Sequence, residues 1–107
     1  MVMTTEENAQ YEQDLKAEEE AAFIRAAKLL RRNYDDLFDA LDAADLESIR
    51  YYTEEIGNFS RYIRTTKNED LKVLCNQSIY LCKYEIEEAH NEIIQRRETR
   101  KEFAKFS

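Results

Sequence analysis

Across 107 residues the chain has no proline and a single glycine, Gly57. Those two residues supply the fixed and left-handed backbone geometries from which most turns and hairpins are built. A chain almost without them has few places to reverse, so long helices joined by short connections are the expected form. Glycine-rich phosphate loops and nucleophile elbows are excluded on the same ground.

Apolar residues recur every three or four positions in three stretches, the period of a helix face. The first stripe holds Phe23, Ala26, Ala27, Leu30, Tyr34, Leu37 and Leu41, with Tyr11 and Leu15 as a weaker extension. The second holds Leu46, Ile49, Tyr52, Ile56, Phe59 and Ile63. In the third, Leu71, Cys75, Ile79, Cys82, Ile86, Ala89 and Ile93 step almost strictly by four and three, a heptad-like seam. Leu74, Leu81 and Tyr84 widen it, as expected of a helix packed against both others.

Two joints are predicted. Asp42 has the place of an N-cap, with Leu41 and Leu46 at the positions of a hydrophobic staple. Thr66 followed by Glu69 has the spacing of a capping box. Short joints make neighbouring helices antiparallel. The expectation is one all-α domain over residues 1–107, an up-down-up three-helix bundle. Its helices would run over about 5–41, 43–65 and 68–104, with residues 1–5 and 105–107 frayed. A further break near Asn33 is an alternative, because Arg31 and Arg32 precede it and Asp35 and Asp36 follow it. Gly57 falls inside the second helix, either at a close helix approach or as a tolerated cost.

Unequal helix lengths imply two overhangs of opposite charge. Residues 6–20 hold seven acids against Lys16, a net −6. Residues 92–105 hold Arg96, Arg97, Arg100, Lys101 and Lys105 against Glu92, Glu98 and Glu102, a net +2. Ile93, Ile94, Phe103 and Phe106 would lie on the second overhang without an intrachain cover, which makes them candidates for self-association into a homodimer.

The net charge of −7 speaks against direct nucleic-acid binding and against docking on anionic membranes, and favours a partner protein with a basic surface. No apolar run reaches the ~20 residues of a membrane span, and the first residues lack a signal-peptide pattern, so a cytoplasmic setting is expected. Cys75 and Cys82 read as reduced core thiols rather than nucleophiles. Glu87 and His90 have the Glu-x-x-His spacing of di-metal helical sites, but His90 is the only histidine, so one chain lacks the second pair and only a homodimer would supply it; a metal-binding helical protein is the remote alternative. No cofactor and no catalytic residue is expected.

What remains is recognition by helix faces, as an adaptor, regulator or inhibitor. Tyr51 and Tyr62 lie off the main stripe of the second helix, beside Arg50 and Arg61, and form the candidate partner-binding face. The alternative is acidic mimicry. Asp35, Asp39 and Asp42 step along one helix face, and with Glu18, Glu19 and Glu20 they would imitate a row of phosphates toward a basic nucleic-acid-binding protein. Small acidic phage proteins that block restriction or CRISPR machinery act this way as a class, an analogy of mode alone.

Overall fold

The computed structural model describes residues 4–105. Two helices account for almost all of them: α1 over Thr5–Thr65 and α2 over Glu69–Ala104. The three-helix bundle is therefore corrected to two helices, because α1 passes without interruption through both Asn33 and the expected joint at Asp42. The physical reason lies in the Asp42 carboxylate. An N-cap accepts from a backbone amide two or three residues on, whereas Asp42 Oδ1 accepts from Arg96 Nε at 2.7 Å. Ala and Leu make up half of residues 38–47, and neither proline nor glycine is present to break the helix.

Both helix starts are capped. Glu7 N donates to Thr4 Oγ1 at 3.1 Å while Thr4 N donates to Glu7 Oε2 at 3.3 Å, a reciprocal capping box at the head of α1. The second joint lies where the sequence placed it, but its cap sits two residues later. Asn68 is the N-cap of α2, and its Oδ1 accepts from Leu71 N at 3.2 Å. Thr66 Oγ1 instead accepts from Asn68 N at 3.1 Å, which tightens the three-residue connection.

Packing divides the chain after Asp36. In the first unit, residues 4–36, Ala21, Arg31 and Asp35 are half-buried and every other residue is exposed. Local bonds support this stretch of α1, among them Gln10 Nε2 to Asp14 Oδ1 at 3.0 Å and the Arg31–Asp35 pair at 4.0 Å.

The second unit, from Leu37 onward, is an antiparallel helical hairpin. Arg96 meets Asp42 and Asp45, Arg100 meets Asp39, and Phe103 meets Phe38, so numbers fall along α1 as they rise along α2. Among the shielded positions of α1, Phe38, Asp42, Asp45, Ile49, Tyr52, Ile56, Phe59 and Ile63 follow alternating steps of four and three, which Thr66 continues just beyond the helix. Among those of α2, Cys75, Ile79, Cys82, Ile86, Ala89, Ile93, Arg96, Arg100 and Phe103 follow the same alternation. This is a two-stranded coiled-coil seam. Its buried residues are Cys75, Cys82, Ala89 and Arg96, seven apart and on one heptad position of α2. Three of the four are small, which leaves room for the larger isoleucine, tyrosine and phenylalanine side chains from α1. Gly57 is exposed, and a Cβ added there would meet nothing within 4 Å, so no close helix approach explains it.

With no third helix, large apolar side chains assigned to the core lie open. Phe23, Leu30, Leu37, Leu41 and Leu46 on α1 are exposed, as are Leu74, Leu81 and Tyr84 on α2.

Candidate functional site

The aromatic face is carried by the last five turns of α1. Tyr51 and Tyr62 are eleven residues apart, three turns of helix, so they share one face about 16 Å apart. Both are exposed. Tyr62 and Arg61 line a surface concavity of ≈ 420 Å³ with Glu55, Asn58, Phe59 and Thr65. Its polar wall is pre-arranged along one helix: Asn58 Nδ2 donates to Glu55 Oε1 at 3.4 Å, and Arg61 Nη2 donates to Asn58 Oδ1 at 3.0 Å. Phe59 supplies an apolar floor from the seam side, where it is half-buried. The other two candidates lie outside this concavity. Tyr51 meets Tyr52 edge-on at 5.1 Å, which fixes its ring, and Arg50 pairs with Glu47 at 3.9 Å on a fully solvated flank.

The aspartate series has a different setting from the one its spacing implied. Asp39 Oδ1 accepts from Arg100 Nη2 at 2.8 Å, and Asp42 accepts from Arg96, whose Nη2 also donates to Asp45. Asp35 lies 4.0 Å from Arg31. Arginines thus offset much of the charge that a phosphate-like row would display. The hydrogen bond to Asp45 is the main reason the Arg96 guanidinium holds its proton even more firmly than usual, outweighing the cost of its burial. Glu18, Glu19 and Glu20 are exposed, on the first unit.

The C-terminal segment of α2 is not an overhang. Phe103 stacks on Phe38 with ring centroids 6.5 Å apart, and the Arg100 guanidinium lies 5.6 Å from the centre of the Phe38 ring. Ile93 is half-buried in the seam, and Ile94 faces outward. Phe106 falls outside the described residues. The structure therefore separates the four proposed self-association residues: two belong to the hairpin's own seam.

Arg96 is the residue whose role the sequence reading missed. The signal was available, because the seam spacing of Cys75 to Ile93 continues without a slip through Arg96, Arg100 and Phe103. Cys75 and Cys82 are buried and unbonded, and burial, with Glu55 and Glu85 adding negative charge nearby, pushes the Cys82 thiol up. Glu87 and His90 are exposed, and no group of three or more His, Cys, Asp or Glu side chains among the described residues is arranged to hold a metal ion. No helix among them is long and apolar enough to cross a membrane.

No protein-family model matches this chain, and neither a curated protein nor a solved structure matches it.

Proposed function

We propose that this chain acts by binding rather than by catalysis, as an adaptor, regulator or inhibitor that docks a helix face on a partner protein. The observation that carries the reading is the concavity beside Tyr62. There an exposed aromatic ring, an apolar floor at Phe59 and a guanidinium steadied by Asn58 converge on one side of α1. Tyrosine and arginine are the side chains most often found at the energetic centre of protein interfaces, because each offers large contact area with a directed polar group. Tyr51, three turns away on the same face, extends that surface. A helix or extended segment with an apolar ridge and an acidic group for Arg61 is the partner chemistry that fits.

The test is capture of a partner by the full chain and by its Tyr62→Ala, Arg61→Ala and Tyr51→Ala variants, with circular dichroism to verify the helices. The reading predicts a stoichiometric complex weakened ~tenfold or more by Tyr62→Ala and only mildly by added salt. Binding that is unchanged in all three variants contradicts it. Acidic mimicry draws less support, since Asp39 and Asp42 are engaged by Arg100 and Arg96.

A further inference from the structure

We propose that residues 9–36 of α1 pair antiparallel with the same residues of a second copy of this chain. The surface concerned differs from the Tyr62 face, and the proposal stands independently of the reading above.

The first observation is exposure. Phe23 is 75% exposed and Leu30 58%, and Leu15 is also open to solvent, all on one broad side of the helix. Isolated helices are marginal in water even with good local support, so a stretch this long gains most of its stability from a packed apolar face. Its start is nonetheless defined by the Thr4–Glu7 capping box.

The second observation is charge order, and it selects the occupant. Residues 6–20 carry a net −6. Residues 21–34 carry Arg25, Lys28, Arg31 and Arg32 and no acid, a net +4. A parallel partner would set like against like. An antiparallel copy sets the acidic half of each helix against the basic half of the other, twice over by symmetry.

With the two-fold axis between Ala22 and Phe23, Leu15 lies level with Leu30 of the second copy, and the bulky Phe23 lies level with the small Ala22. The same register runs the acidic stretch of each helix along the basic stretch of the other.

Sedimentation equilibrium of the full chain at micromolar concentration tests this. A dimer is expected, weakened by salt and weakened ~tenfold or more by Phe23→Glu and by Glu20→Lys, each counted twice per dimer. Circular dichroism guards against simple unfolding, and Tyr62→Ala should leave the dimer unchanged. A monomer throughout the range, or a dimer indifferent to Phe23→Glu and Glu20→Lys, overturns the proposal.

Discussion

Arg96 and Asp42, fifty-four residues apart in the chain, meet across the hairpin with Arg96 Nε donating to Asp42 Oδ1 at 2.7 Å. A second arm of the same guanidinium reaches Asp45, one turn along α1. The seam of the hairpin thus carries a buried charged layer beside its apolar ones, with the Arg100–Asp39 pair one turn further on. Such a layer fixes register, because sliding either helix by a heptad would set a buried guanidinium against apolar side chains.

Removing that guanidinium leaves two half-buried carboxylates without their shared partner. Arg96→Ala is expected to destabilise the hairpin by about 3 kcal/mol, read as a lower urea midpoint. Arg96→Lys should recover only part of the loss, since an ammonium cannot reproduce the two-armed geometry. Equal stability of Arg96→Ala and the parent chain would show that the layer contributes nothing.

Gly57 offers the opposite sign. Its added Cβ meets open space, and a helical glycine costs about 1 kcal/mol relative to alanine. Gly57→Ala should therefore raise stability by about that amount with no change in helix content. A loss of stability on thermal melting would reveal a close contact at this position.

The joint between the helices rests on Asn68, whose Oδ1 accepts from Leu71 N. Asn68→Ala should cost about 1 kcal/mol, while Asn68→Asp should retain most of the cap and add a favourable charge at the helix start. Thr66→Ala should cost less, because Thr66 bonds the connection and not the helix. Urea unfolding of the three variants ranks them.

Cys82 gives a pH dependence whose sign follows from its surroundings. Burial, then the negative charges of Glu55 and Glu85, raise its pKa in the folded chain. Below the ordinary thiol value of about 8.5 both states keep the proton and the stabilisation is complete. As pH rises beyond that value the unfolded chain ionises first, so stability falls until the folded thiol ionises too. Cys82→Ala should flatten this alkaline loss, and Cys82 should alkylate far more slowly in the folded chain than in urea. A thiol that reacts at the same rate in both would contradict its burial.

The helical character, the end of α1 at Thr65 and the seam of α2 from Cys75 to Ile93 were all legible in the sequence. Each is a local property: apolar period, missing breakers, a polar cap. The error at Asp42 has the same origin. An aspartate between Leu41 and Leu46 looks alike to its neighbours whether it caps a helix or faces an arginine, and only the distant Arg96 distinguishes the two. Placing a joint there turned one long helix into two, which gave Phe23, Leu30, Leu37 and Leu41 a core they do not have. It also made an overhang of the segment carrying Ile93 and Phe103. Of the proposed recognition face, the sequence shows Tyr62 lying off the stripe, with Arg61 beside it. The concavity that joins them to Asn58 and Phe59 depends on side-chain conformations that no spacing rule encodes.

The dimer proposal depends on α1 continuing through Asp42 and leaving its apolar side without an intrachain cover. Amide hydrogen exchange on residues 38–47 tests this most directly. The continuous helix predicts slow exchange at Leu41, Asp42, Ala43 and Ala44, comparable to that of Ile49 and Tyr52. Rapid exchange confined to residues 41–44, between protected flanks, would mark a joint and would contradict the two-helix fold on which the dimer proposal rests.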